Sequence, residues 1–309
     1  MEKHKEAWRK SRSGHETRMA EELNILREEV NNANAEVDIS PNMKTTFLRF
    51  TENDLKSPYW LNVPCVPEMG FRLSKYQFID GISMRYGMTA PDLRDKCPCG
   101  EDFDMGHAMG YNTGNVVVKR HDEMRDVMGD LSSQVWNAAK EPMVKEGTYA
   151  MNEETGTMEM VNALRADLGV QGLQNEGMTT FLDFSVVDTN AASAPSSARA
   201  ALNRRAAQKI QKYRSECQKK GGLFMPFVVS AAEATLHPTA QQVMQTLSNA
   251  LARKWKENRG KVRSWVHTRL AFCIIRGSSN CLRSQKYSWN KAGLFIYGWG
   301  HTRPSFLER

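Results

Sequence analysis

The run Phe181–Val187 (FLDFSVV) constrains this 309-residue chain more than any other stretch, because it sets a carboxylate, Asp183, inside an apolar strand candidate. An unpaired carboxylate is expensive to bury there. A second strand candidate, Leu164–Val170, carries Asp167, and the intervening GLQNEGMTT has the length and composition of a hairpin connection. Glu141 opens a third extended piece, Glu141-Pro142-Met143-Val144, since the residue before a proline is biased away from helix. Two carboxylates brought to one strand edge favour a hard divalent cation with oxygen ligands, usually Mg2+. Solvent-facing aspartates in a half-buried hairpin are the alternative.

Helical spacing surrounds these strands. Ser74 is a plausible N-cap for a helix over 74–86, and Met124, Val127, Met128, Leu131 and Val135 suit one over 119–138. A basic helix over Leu202–Lys220 ends at Gly221-Gly222, Phe224–Ser230 is a further strand, and two more helices fit 238–258 and 261–283. Residues 15–36 read as a polar helix with a narrow apolar stripe, 145–160 as polar and turn-rich, and the aromatic tail from Trp289 lacks periodicity. The expected class is therefore α/β, a mixed sheet between helices.

The net charge of +7 conceals an asymmetry. Residues 1–200 hold 22 basic and 31 acidic side chains, a net of −9, whereas residues 201–309 hold 20 and 4, a net of +16. Such a field attracts polyanions, nucleic acid first, although an acidic protein fits the same number. Arg204, Arg205, Lys209, Lys212, Tyr213 and Arg214 fall on one helix candidate, and Arg253, Lys254, Trp255, Lys256, Arg259, Lys261, Arg263 and Trp265 follow. Cations in this pattern position phosphates and the rings are candidates for stacking on unpaired bases. No apolar run reaches the roughly 18 residues of a membrane span. The start has no apolar stretch of the secretory kind, and six cysteines are too few for a disulfide scaffold, so an intracellular, reducing compartment is expected.

Two further clusters stand out. Cys97-x-Cys99 followed by His107 offers three donors for Zn2+, with Tyr111 at the position where a fourth ligand is wanted; a cysteine-bearing turn with a capping histidine is the alternative. Arg120-His121-Asp122 opens a helix, either as a basic pair presented to a phosphate or with Asp122 complementing the helix dipole.

The ordered series FRLSKYQFIDGISMRYGM…CPCGEDFDMGHAMGYNTGNVVVKRHDEMRD, RADLGV, FLDFSVVDTN, QKIQKY, GGLFMPFVVS and SWVHTRLAFCIIRGSSNCLRS resembles a known family over roughly residues 58–285. It is similar to the C-terminal zinc-knuckle plus restriction-like endonuclease region of reverse transcriptases from non-long-terminal-repeat retrotransposons. The resemblance implies a PD-(D/E)XK restriction-endonuclease-like core, with an N-terminal helical arm (1–57), a helical, zinc-knuckle-like segment (58–118), the endonuclease domain (119–285) and a C-terminal tail (286–309). It implies Asp167 and Asp183 as Mg2+ or Mn2+ ligands, Lys209 as the catalytic ammonium, and Glu141 as an added outer ligand. Cys97, Cys99 and His107 match three zinc-knuckle ligands; Arg120, His121 and Asp122 match the family's Arg-His-Asn/Asp motif. DNA, also RNA, and a reverse-transcriptase polypeptide are the implied partners, and the nucleus the implied location. Four positions depart from the family: Tyr111 for the last knuckle cysteine, Asn115 for a glycine, Ala206 for a glutamate, and Ser185 where such nucleases place lysine. A catalytically decayed nucleic-acid-binding module on the same fold is the alternative function.

Overall fold

The computed structural model describes residues 60–283, apart from 62, 64–65, 67–68, 111–114, 153–155, 190, 192–193, 195–196 and 233. The expected helix over 15–36, the C-terminal tail and Tyr111 lie outside the described residues.

Two helices precede the sheet: α1 (Lys75–Tyr86) and the short α2 (Met105–Gly110). Ser74 and Gln77 close a capping box on α1, each side chain accepting from the other residue's backbone N–H. Helix α3 (Val116–Ser133) leads into strand β1 (Asn137–Lys140), and β2 (Met143–Lys145) follows the turn at Glu141. Strands β3 (Thr148–Met151) and β4 (Met158–Val161) form a two-stranded ribbon, and β5 (Leu164–Arg165) returns to pair with β2. Strands β6 (Leu168–Gln171) and β7 (Thr179–Val187), helix α4 (Ala198–Lys219), strand β8 (Leu223–Ser230) and helices α5 (Pro238–Trp255) and α6 (Arg259–Arg283) complete the described chain.

The main sheet has the order β1-β6-β7-β8. The first two pairings are antiparallel, while β8 runs parallel to β7 through the α4 crossover, so the sheet is mixed. Alternation along β7 sorts its side chains cleanly. Leu182 and Phe184 enter the large core beneath α3, α5 and α6, whereas Phe181 and Val187 pack on the α4 side with Asp183 and Ser185 between them. Strand β8 repeats the division: Phe227 and Val229 face the large core, Phe224 and Val228 face α4. The expected mixed sheet flanked by helices is thus present.

Three elements differ from the sequence expectation. Leu164–Val170 is not one strand; it splits into β5 and β6 around Ala166 and Asp167, where the chain passes from one sheet to another. Helix α3 stops at Ser133, and Asn137 begins β1 instead. The polar 145–160 segment contains a β-ribbon, whose Tyr149, Met151, Met158 and Met160 are exposed; pairing Tyr149 with Met160 and Met151 with Met158 stabilises it without a buried face.

Helix α6 holds the helical layer together. Its Leu270, Phe272, Ile274 and Ile275 are buried, and Ser279 and Arg283 both donate to the buried Asp80 carboxylate of α1. Gly277 lets α6 approach α3 closely: a Cβ there would stand 2.6 Å from Arg120 Cγ and 3.3 Å from its Cα. Alanine normally stabilises a helix interior by about 1 kcal/mol over glycine. Overpacking costs about 1–3 kcal/mol. Gly277→Ala is therefore expected to lower stability by up to about 2 kcal/mol, read as a reduced urea midpoint at unchanged slope.

Candidate functional site

The antiparallel register pairs Leu168 with Leu182, and just before that pair the Asp167 N–H donates to Leu182 O at 3.0 Å while its side chain reaches the Phe184 N–H, so Asp167 meets β7 at the two residues that flank Asp183. These two carboxylates lie on different sequence elements but at one place in the sheet. Asp183 is almost fully buried, its side chain 3 % exposed, and its Oδ2 forms an ion pair with Nζ of Lys209, itself 15 % exposed. The Tyr213 phenol, one helical turn beyond Lys209, also hydrogen-bonds Asp183; burial first, then this carboxylate, raises the Tyr213 pKa. Tyr213 stacks on Phe224 with ring centroids 5.0 Å apart, so the helix is seated over the acid by an aromatic contact as well as by charge.

Asp167 is anchored differently. Its carboxylate Oδ2 accepts from the Phe184 backbone N–H at 2.6 Å, and His121 Nε2 on α3 lies 3.0 Å from the same oxygen. Hydrogen bonding to Asp167, outweighing burial, raises the His121 pKa and favours the imidazolium. Asp122 Oδ1 lies 3.3 Å from His121 Nδ1, which makes His121 a link between the two aspartates. Each of the two central acids therefore has a cationic partner from a different helix. Glu141 is further out. Its backbone N–H donates to Asp167 O at 3.0 Å, while its carboxylate, 55 % exposed, accepts from Arg125 Nη1 at 2.5 Å.

Arg125 was not singled out in the sequence, yet it joins Asp122, Asp126 and Glu141. Its spacing of four from His121 and three from Asp122 was the available signal. A recess of about 260 Å³ opens on the sheet, lined by Ala139, Pro142, Gly169, Gln171, Thr179 and Phe181 among others; neither Asp167 nor Asp183 lines it.

The expected nucleic-acid contacts divide into exposed and buried groups. Arg204, Arg205 and Lys212 are exposed on α4, with Arg205 Nε donating to Ser185 Oγ at 3.1 Å and Lys212 Nζ over the Tyr213 ring. Arg253, Lys254 and Lys256 are exposed at the end of α5. Arg120, by contrast, is 4 % exposed and its Nη2 donates to Met109 O at 3.2 Å. Arg120 is thus an internal brace between α2, α3 and α6, not a surface cation, because the α3 face that carries it is covered by Gly277. Tyr213 is likewise buried against Phe224, and Trp255 and Trp265 form a buried edge-to-face pair, so none of the three rings offers a free face for stacking on a base.

Cys97, Cys99 and His107 do converge. Their ligand atoms lie within 4.8 Å of one another, and Cys99 Sγ is 3.5 Å from His107 Nε2. A tetrahedral zinc ion with ordinary bond lengths separates a sulfur and a nitrogen ligand by about 3.6 Å, so the donor set and spacing suit a metal. A tight turn sets the thiols: Cys97 N–H donates to Glu101 O, and Gly100 N–H donates to Cys97 O. Asp104 Oδ1 accepts the His107 N–H at 2.6 Å and orients the start of α2.

No family model matches the chain, and no curated protein matches it.

Lys209→Met strands the Asp183 carboxylate in an apolar setting, which costs about 3–5 kcal/mol when a buried pair loses one member. Urea unfolding near neutral pH is expected to show that loss. The double variant Asp183→Asn/Lys209→Met is expected to recover most of it.

Proposed function

We propose that this chain is a divalent-metal-dependent endonuclease that nicks DNA, on a PD-(D/E)XK-type core. The observation that carries the reading is the set of Asp183 on β7, Asp167 hydrogen-bonded to the two β7 residues that flank it, and the Lys209 ammonium delivered to Asp183 by the crossover helix. The order α3-β1-β6-β7-α4-β8 within the mixed sheet supports the same assignment. So does the ordered motif series, which resembles that of retrotransposon reverse transcriptases.

Asp167 and Asp183 would hold Mg2+ or Mn2+, for which hard carboxylate oxygens are the suitable donors. Such an ion, when bound, supplies Lewis acidity at the phosphodiester and lowers the pKa of water. The chain's own residues do the rest. His121 and the Phe184 N–H fix the Asp167 carboxylate by holding Oδ2, and Tyr213 and Lys209 fix Asp183. Lys209 stabilises negative charge developing on the phosphoryl oxygens and orients the attacking water. Arg204, Arg205 and Lys212 lie along the same helix and hold the DNA backbone, so binding weakens steeply with salt. Glu141 stands ready as an outer ligand beside Asp167. Zn2+ at Cys97, Cys99 and His107 would tie the turn to α2, a structural role separate from cleavage. The proposed action on DNA belongs in the nucleus, beside a reverse-transcriptase polypeptide.

A second reading, a nucleic-acid-binding module without cleavage, is favoured by one feature: Ala206 is buried against Leu202 and Val228 where the family has glutamate. A supercoiled-plasmid assay with Mg2+ or Mn2+ separates the two. Wild type is expected to give open circles, and Asp167→Asn/Asp183→Asn, which preserves side-chain volume, to lose at least about 100-fold in rate, roughly 2.7 kcal/mol of transition-state stabilisation. Equal curves for both proteins, with plasmid still bound, would leave the binding module as the function. Independently, the purified chain is expected to release about one equivalent of zinc on thiol modification, and Cys99→Ser/His107→Gln far less.

A further inference from the structure

The corner where α5 meets α6 carries Arg253, Lys254, Lys256, Arg259, Lys261 and Arg263, all exposed, against a single carboxylate, Glu257. Ordinary helix electrostatics does not account for all of them. Cations near the C-terminus of α5 are favourable, but Arg259 and Lys261 occupy the first turn of α6, at the positive end of a 25-residue helix whose first turn holds no acid. Asn258 caps that turn by accepting from the Gly260 and Lys261 N–H groups. The corner therefore keeps a positive charge that folding by itself disfavours. Burial and the adjacent Arg263 guanidinium push the His267 imidazole one turn further along down to about 4, which leaves it neutral and adds no charge of its own near pH 7.

The corner is also apart from the acid pair. Lys254 Nζ donates to Gln134 O at the end of α3, whereas the acid pair is reached by His121 near its beginning. Thirteen residues of helix separate the two by about 20 Å, roughly twice the screening length at 0.1 M salt. The sheet stands between α4, which carries Lys209, and the α5–α6 layer.

We infer that the α5–α6 corner is a second polyanion surface, which binds the phosphodiester backbone of a nucleic-acid segment other than the one held against Asp167 and Asp183. Phosphates are the ligand chemistry that six clustered cations can take when the described rings of the corner, Trp255 and Trp265, are buried: recognition is of backbone charge, not of bases. This binding does not depend on cleavage, so it stands or falls separately from the nuclease reading.

The test uses the full chain in EDTA, with labelled 12-base-pair DNA and 12-nucleotide RNA as probes, and fluorescence anisotropy and titration calorimetry as readouts. Arg253→Glu/Lys256→Glu/Arg259→Glu/Lys261→Glu is expected to bind one equivalent fewer than wild type. The slope of log K against log salt for the lost site is expected to be about −2 to −4. Which probe is lost from the corner identifies it as a DNA or an RNA surface. The smaller variant Arg259→Glu/Lys261→Glu is expected to melt about 2 °C higher than wild type without nucleic acid, because acids now sit at the start of α6. Three results would overturn the inference. Unchanged stoichiometry in the quadruple variant would remove the site or merge it into a single footprint. A lowered melting point in the double variant would make the cations structural. Displacement of both probes by polyglutamate at equal charge would assign the surface to an acidic protein.

Discussion

The ion pair between Asp183 and Lys209 is the interaction on which the arrangement of the sheet and its crossover depends. Asp183 sits at a position of β7 where its neighbours Phe181, Leu182 and Phe184 are all buried. A charge in that setting needs a partner brought to it, and here a helix laid across the sheet brings it. Helix α4 fulfils this by packing Leu202 and Ala206 on Val228, and Tyr213 on Phe224, on either side of Lys209. The parallel pairing of β8 with β7 is then a geometrical consequence, since a crossover helix returns the chain in the same direction. Gly222 completes the return: a Cβ there would stand 2.5 Å from the Phe181 ring, so the chain re-enters the sheet only with glycine at that point.

Burying charges this way contributes little to net stability, because desolvation offsets most of the attraction. Its value lies in position. Asp183 is held by Lys209 and Tyr213 of α4, and Asp167 by His121 of α3 and the Phe184 backbone N–H. A hydrophobic pair of equal volume would hold α4 as firmly and leave nothing reactive between the strands. Carboxylates kept in place by cations from separate helices are the kind of pre-set charge arrangement on which phosphoryl chemistry draws.

The basic half of the chain is used in two ways that its sequence does not distinguish. Arg120 and Arg269 are buried, Arg120 bracing α3 against α2, while the cations of α4 and of the α5–α6 corner face outward. The same residue type thus serves packing in one place and an external field in another. Burial by α6, with its Gly277 against Arg120, makes that difference.

Much of the fold was readable from local pattern. The apolar runs around Asp183 and Phe227, the capping Ser74, the glycine stop after α4 and the spacing in α5 and α6 each report on a few consecutive residues, and each places its element within a few positions. Cys97, Cys99 and His107 were readable for the same reason, being a short-range set within one turn and the helix that follows. What only the tertiary structure decided are relations between distant residues: His121 against Asp167, Lys209 against Asp183, Arg125 reaching Glu141, Arg120 inside while Arg204 stays outside. The break between β5 and β6 belongs here too, because it follows from two sheets competing for one strand. Local pattern records which face of an element is apolar; which neighbour covers that face, and so which charges end up paired and which remain free to act on a ligand, is settled only when the layers pack.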